Sequence, residues 1–138
     1  MNKSIITLCF IALLAGTAHA RENPVKVDIL AQSSQSWDGR QLPAYPTTTP
    51  EISVLRIEIP AGTQLALHQH PVINVGYLVS GELTVITEQN ETLHLKAGDA
   101  LIEVVDKWHY GKNEGSTPAV IVVVYAGTPG TPLSVHKE

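Results

Sequence analysis

Histidines at three positions of this chain have the spacing and surroundings of a metal-binding set. His68 and His70 are two residues apart, so on an extended strand both imidazoles project from one face while Gln69 points away. His109 follows Trp108 at the end of a second strand-like apolar run. If the fold brings His109 beside the pair, three neutral imidazoles can bind one borderline divalent ion. The sequence therefore predicts a metal site, although a lone His-x-His pair is typical of a surface pair or a satisfied core contact.

A carboxylate precedes the third histidine. Glu103 lies six residues before His109, in the run that ends near Val105. Facing a cavity, Glu103 would act as a general base, an outer-shell partner or a metal ligand. Facing solvent, it would be an ordinary strand residue, and a bulge near Val104 would keep strand parity from separating the two orientations. Glu103 is the candidate catalytic residue, and both orientations stay open.

The elements that must position these side chains are short strands. Apolar or alternating runs separated by turn residues fill the chain after residue 50, and no convincing helical period follows residue 20. This pattern predicts an all-β sandwich or barrel. The predicted strands cover residues 53–59, 74–80, 82–88, 92–96, 98–105 and 118–125.

The residues around the first two histidines resemble the first sequence motif of the cupin superfamily. That motif is a glycine, five residues, His-x-His, three or four residues, a glutamate, six residues and a glycine. Gly62, His68, His70 and Gly81 fit this spacing, and Asn74 stands in the glutamate position.

The second cupin motif is similar to the residues around the third histidine. It is a glycine, five residues, a proline, one residue, a glycine, two residues, a histidine, three residues and an asparagine. Gly98, His109 and Asn113 fit this pattern, while Val104 and Asp106 replace the proline and the internal glycine.

The resemblance implies a single-domain cupin-type β-barrel, or jelly roll, over residues 51–127. It also implies a metal ligand set of His68, His70 and His109, with Asn74 in the fourth position. The Asn74 amide oxygen can coordinate an ion, but it is neutral, so such a site would keep the full +2 charge. Small cupins of this kind resemble quercetin-dioxygenase-like enzymes, which implies a dioxygenase-like reaction. The ion is left open among iron, manganese, nickel, copper and zinc.

Residues 1–20 are predicted to be a signal peptide. Lys3 gives a positive start, residues 5–15 are apolar, and Ala18-His19-Ala20 offers a cleavage site. The apolar run is shorter than the roughly 20 residues that cross a bilayer. We therefore expect a periplasmic or secreted protein with no membrane association after cleavage. Cys9 would leave with the peptide, so the metal site would have no sulfur ligand.

The charge of the chain argues against nucleic acid as a partner. Nine Lys and Arg residues face thirteen Asp and Glu residues, for a net charge of −4. Loss of Lys3 makes the mature chain one unit more negative, and no basic stripe is visible.

The segments at either end are predicted to be an N-terminal arm at residues 21–50 and a C-terminal tail at 128–138. Residues 25–30 alternate apolar and polar, which predicts an edge strand. Trp37 and Tyr45 follow in a proline-rich loop, where they would form a lid over a pocket or pin the arm to the barrel. Pinning is favoured because large aromatics bury much area without a ligand. His136 in the tail is not assigned to the site.

These features predict a metal-dependent, dioxygenase-like enzyme that acts on a small molecule in the barrel cavity. The alternatives are a non-catalytic sensor or carrier of metal or ligand, and a structural protein in which the histidines are incidental. We also expect a homodimer, because cupins commonly pair sheets. The apolar run at 119–125 and the arm could form an edge that needs covering, although this run could also be an inner strand.

Overall fold

The computed structural model of the protein describes residues 24–137. The predicted signal peptide lies outside the described residues. Over 24–137 the chain forms nine strands and no helix, which confirms the all-β prediction. No helix in this part of the chain is long and apolar enough to cross a membrane.

The strands form two antiparallel sheets. One sheet has the order β1-β8-β3-β6 and the other the order β5-β4-β7-β2-β9. Among the described residues no strand pair joins the sheets, so the predicted barrel is two facing sheets rather than a continuous closed wall. The strands are β1 (Glu51–Ile59), β2 (His68–Gln69), β3 (Ile73–Ser80), β4 (Glu82–Thr87), β5 (Thr92–Lys96), β6 (Ala100–Ile102), β7 (His109–Lys112), β8 (Ala119–Gly127) and β9 (Val135–His136).

Apolar side chains that alternate along the strands fill the space between the sheets. On β8, Ala119, Ile121, Val123 and Tyr125 are buried and belong to the core. One face of β8 therefore belongs to the core. The residues on its other face, such as Val122 and Val124, are also apolar. The rest of the buried core is Ile59, Val72, Leu78, Leu83, Val85, Leu95 and Leu101.

Four of the motif positions have positive φ, namely Gly62, Gly81, Gly98 and Asp106. Gly81 has a φ of 77° and connects β3 in one sheet to β4 in the other. A Cβ atom there would lie 2.6 Å from the Pro118 carbonyl oxygen, so only glycine fits this crossing. Asp106, which replaces the internal glycine of the second motif, has a φ of 51°. Aspartate tolerates this left-handed region better than most residues, which makes the replacement compatible with the turn.

The N-terminal arm differs from its prediction. Residues 25–30 form no strand, and Val25 and Val27 are 90% and 80% exposed. The prediction of an edge strand was wrong because alternation makes a strand only where a neighbour offers backbone partners. Trp37, in contrast, packs against the core, and its backbone N–H donates to the Ile102 carbonyl at 2.9 Å. Trp37 thus pins the arm to the sheet.

The C-terminal segment also contains structure that the sequence pattern did not indicate. β9 pairs with β2, with His136 opposite His68 and Val135 opposite Gln69. β2 is therefore held between β7 and β9, and this places the tail beside the first predicted metal ligand.

Candidate metal centre

The three predicted histidines meet between the sheets. His68 on β2 and His109 on β7 are directly opposite each other in the strand register, so their side chains share a face. His70 follows β2, and the ring centroids of the three imidazoles are 4.5 to 5.0 Å apart. One nitrogen from each ring lies within 4.8 Å of the other two. These residues can hold a metal ion.

Each imidazole is oriented by a backbone carbonyl. Nδ1 donates to the Ala66 oxygen at 2.7 Å in His68, to the Leu133 oxygen at 2.7 Å in His70, and to the Lys107 oxygen at 2.8 Å in His109. A carbonyl oxygen only accepts, so Nδ1 carries the proton in all three rings. In the neutral form of each ring the lone pair therefore lies on Nε2, which is the arrangement found in metal-bound histidines.

Burial keeps two of these rings neutral. His70 is 6% exposed, and burial lowers its pKa to about 4, although the bond to Leu133 opposes the shift. Burial also lowers the pKa of His68, against its bond to the Ala66 carbonyl. Below-normal pKa values leave the lone pairs free at neutral pH, so a cation need not displace protons from these two ligands.

Asn74, in the glutamate position of the first motif, lies on β3 in the opposite sheet. Its side chain is 2% exposed and lines the same cavity as the three histidines. The amide Nδ2 donates to the Val72 carbonyl at 3.4 Å. The amide nitrogen is thus directed at the backbone, and its oxygen is the atom that Asn74 can offer to an ion.

Glu103 faces the cavity and not the solvent. It follows β6 and is 8% exposed. Its Oε1 accepts two hydrogen bonds, from Trp37 Nε1 at 2.9 Å and from the Val104 backbone N–H at 2.9 Å. The other oxygen, Oε2, lies 3.8 Å from His109 Nε2. One carboxylate oxygen is therefore fixed by donors, while the second is next to the imidazole cluster.

The rest of the cavity is largely apolar. Its volume is about 80 Å³, enough for several water molecules or one small ligand. Tyr125 lines it with its ring 5.4 Å from that of His70. Burial, followed by the charge of Glu103, raises the pKa of Tyr125, so its phenol stays protonated and can donate to a ligand. Apolar lining residues are Ile57, Ile59, Leu65, Leu83, Val85, Leu101, Ile121 and Val123.

Several contacts of the site could not be found by sequence reasoning. His136 was placed outside the site, yet it is an exposed residue whose ring centroid is 5.9 Å from that of His68. Trp37 was predicted to pin the arm, but the spacing of the two motifs could not predict its hydrogen bond to Glu103. The Leu133 carbonyl is a backbone group, so side-chain identity carries no information about its bond to His70. Asn113 of the second motif ties its own turn to β1: its Nδ2 donates to the Thr117 and Ile59 carbonyls, and its Oδ1 accepts from the Gly115 N–H.

Comparisons with known proteins agree with this architecture. Residues 55–125 match the model of a family described as the cupin domain. No curated protein matches the sequence.

Three solved structures illustrate the likeness. The DMSP lyase DddQ of Ruegeria pomeroyi superposes with a TM-score of 0.55 at 22% identity, covering 62% of this chain and 43% of the lyase. The oxalate decarboxylase of Lactobacillus farciminis, in a formate complex, superposes with a TM-score of 0.54 at 27% identity. The match covers 62% of this chain and 26% of the decarboxylase. An uncharacterised protein of Klebsiella pneumoniae with a double-stranded β-helix domain superposes with a TM-score of 0.53 at 26% identity. The match covers 63% of this chain and 75% of that protein. The matched region thus spans less than half of the lyase and of the decarboxylase.

Proposed function

Because this chain belongs to the cupin family, we propose that it is a metal-dependent enzyme that acts on a small molecule between its two sheets. The first candidate reaction is oxidative and dioxygenase-like. The observation that carries the proposal is the convergence of three Nε2 lone pairs, each fixed by a backbone carbonyl on the opposite side of its ring.

The donor set fits a divalent transition metal. Three neutral imidazoles suit iron, manganese, nickel, copper or zinc, and the cavity offers no thiolate that would favour a softer ion. Such an ion would supply an electrophilic centre that binds an anionic substrate or dioxygen. Asn74 is the candidate fourth ligand, through its amide oxygen. Since Asn74 is neutral, the site would carry one more positive charge than a site with glutamate, which favours an anionic substrate.

Glu103 is the candidate catalytic residue. Its Oε1 is occupied by two donors, and its Oε2 faces the cavity beside His109. A carboxylate held in this way can take a proton from a substrate placed in the cavity. Tyr125, protonated at neutral pH, can donate a hydrogen bond to the same substrate.

The substrate is inferred to be a small anion. A cavity of about 80 Å³ has room for few heavy atoms, and its walls are mostly apolar. The similar protein of Lactobacillus farciminis is an oxalate decarboxylase, solved with formate, and both names denote small carboxylates. Export through the signal peptide at residues 1–20 would place this chemistry in the periplasm or outside the cell.

Replacement of the ligands tests the proposal. We expect His68→Ala and His109→Ala to lose bound metal and turnover together, because each removes one of three neutral donors. His94→Ala is the matched control, since His94 is an exposed β5 residue whose ring contacts Thr84. The measurements are elemental analysis of the purified protein and oxygen uptake with small carboxylates and with enolic and phenolic compounds.

Two results would contradict the assignment. Turnover retained in either ligand variant would exclude the triad as the reaction centre. Saturable ligand binding by the wild-type protein with no product after long aerobic incubation would indicate a sensor or carrier that uses the same pocket.

A further inference from the structure

A loop at residues 34–42 contacts the candidate metal centre, although it precedes residue 55, where the match to the cupin domain begins. The Trp37 backbone N–H in this loop donates to the Ile102 carbonyl at 2.9 Å. Ile102 is the last residue of β6, and Glu103 follows it directly. This main-chain hydrogen bond therefore brings the Trp37 side chain next to Glu103.

The loop is held in place by hydrogen bonds that do not involve Glu103. Asp38 Oδ1 accepts from the Ser36 hydroxyl at 2.6 Å and from the Arg40 backbone N–H at 3.1 Å. Asp38 Oδ2 accepts from Lys107 Nζ at 2.8 Å, and the Asp38 side chain has no exposed area. Because the loop has its own attachments, Trp37 can fix the position of Glu103 rather than follow it.

Trp37 determines which oxygen of Glu103 is available. Oε1 accepts from Trp37 Nε1 at 2.9 Å and from the Val104 backbone N–H at 2.9 Å. The last torsion of a glutamate side chain is broad, so two donors on one oxygen select a single orientation of the carboxylate. Oε2 remains, at 3.8 Å from His109 Nε2.

In this orientation Glu103 lies beside the histidine cluster and is not a member of it. Among residues 24–137, the donor atoms that all lie within 4.8 Å of one another come from His68, His70 and His109, without Glu103. A carboxylate is strongly attracted to a divalent cation in a cavity of low polarity. A carboxylate bound to the ion would also be a poor proton acceptor, because the positive charge favours its ionised form.

We propose that Trp37 is a positioning residue that keeps Glu103 out of the ligand set of the metal; this inference rests on the proposed metal centre. A hydrogen bond to a charged oxygen is about twice as strong as one between neutral groups. The indole N–H therefore competes with the ion for the carboxylate. A loop outside the matched cupin domain thus leaves Glu103 free to take a proton from a substrate.

Cobalt binding to Trp37→Phe tests this role. The variant keeps an aromatic ring and removes the donor, so Glu103 can turn towards the ion. We expect the affinity for Co²⁺ to rise by about 10-fold, because a charged ligand joins the neutral imidazoles, and the visible absorption band to change. Loss of an ordinary outer-shell partner has the opposite effect and weakens metal binding by about 10- to 100-fold. Tyr45→Phe, which alters an exposed ring of the same arm, is the control.

A double-mutant cycle shows whether the effect passes through Glu103. In a Glu103→Gln background, Trp37→Phe should leave both the Co²⁺ affinity and the absorption band unchanged, since no carboxylate remains to turn towards the ion.

Hydrogen exchange of the indole N–H tests the same bond in the wild-type protein and does not depend on the folding of a variant. The sequence has two tryptophans, and Trp108 serves as the reference. Nuclear magnetic resonance follows the exchange of both indoles before and after Zn²⁺ is added. We expect Trp37 to stay protected in the Zn²⁺-loaded protein, because Glu103 keeps its bond to the indole.

The outcomes separate this proposal from the metal centre on which it rests. A wild-type protein that binds no Co²⁺ refutes the metal centre itself. If the wild-type protein binds Co²⁺, an unchanged or lower affinity in Trp37→Phe overturns the positioning role alone. The same conclusion follows if the effect of Trp37→Phe persists in the Glu103→Gln background, or if Zn²⁺ removes the protection of the Trp37 indole.

Discussion

At the scale of residues, the position of the proton on each imidazole decides which nitrogen of the three histidines can bind an ion. Each Nδ1–H donates a hydrogen bond to a main-chain carbonyl. Rotation of the ring or exchange of its tautomer would break this bond in a buried or half-buried residue. The rings are thus held with Nε2 towards one point before any ion arrives. Preorganisation of this kind lowers the cost of binding, because the ligands lose little freedom.

The buried histidines make the metal-free protein sensitive to acid. The pKa of His70 is about 4 in the folded state, below the ordinary 6.5. The unfolded chain therefore takes up a proton first, and folding stability falls as pH drops from 6.5 towards about 4. We expect His70 to contribute a loss on the order of 3 kcal/mol. Urea unfolding of chelator-treated protein across this range measures it, and His70→Gln should flatten the dependence. Equal slopes in both proteins would contradict this.

Asn74 determines the charge of the site. Asn74→Glu should bind divalent metal about 10-fold or more tightly, because a carboxylate attracts the ion in a low-dielectric cavity. The same substitution should destabilise the metal-free protein by about 2 kcal/mol, since it buries an uncompensated charge. Asn74→Gln is the control, because glutamine has nearly the size of glutamate but no charge. Calorimetric titration with Co²⁺ gives the affinities, and an affinity for Asn74→Glu no higher than that of Asn74→Gln would place residue 74 outside the metal's reach.

The spacing of residues along the sequence predicted part of the candidate site. The two-residue spacing of His68 and His70 predicted that their rings would share a site, and the motif spacing added His109. Whether Glu103 faced the cavity was beyond strand parity, because β6 ends at Ile102 and the chain leaves the regular period there. The catalytic role of Glu103 and the coordination by Asn74 stay predictions.

At the scale of elements, the strand that carries His68 is one of the two shortest strands in its sheet. β2 has two residues and is held between β7 and β9. The tail contributes twice: β9 pairs with β2, and the Leu133 carbonyl accepts from His70. The tail therefore supports two histidines of the candidate metal centre.

Truncation of the tail tests this support. A chain that ends at Gly127 should bind Co²⁺ about 10- to 100-fold more weakly, because it loses the carbonyl that orients His70 and the strand that flanks His68. A chain that ends at Ser134 keeps the carbonyl and should lose less. Unchanged affinity in the shorter chain, with its strand content intact by circular dichroism, would show that the tail has no part in the site.

The elements were predicted well where alternation coincided with a partner strand. Residues 92–96 form a strand as predicted, and two strands flank Gly81 as predicted, whereas the alternating residues 25–30 are not a strand. Pairing is a non-local property, so a local pattern cannot show whether a neighbour exists. The same limit explains why β9 was missed, since its two residues pair only because β2 lies beside them.

At the scale of the whole molecule, the two faces of one sheet have different surroundings. The inner face of β1-β8-β3-β6 lines the cavity of the candidate metal centre, and the outer face presents exposed apolar residues such as Val54 and Val75. The family model and the solved structures establish the cupin fold, which hosts many chemistries. The reaction must therefore be inferred from the site, whose chemistry depends on the ion.

Anomalous diffraction from crystals of the metal-loaded protein, recorded at the absorption edge of the ion found by elemental analysis, tests the metal centre directly. The structure predicts an anomalous peak between the sheets, within bonding distance of Nε2 of His68, His70 and His109. Metal-loaded crystals with no peak at that position, or with a peak that leaves any of these three nitrogens unbonded, would contradict the account.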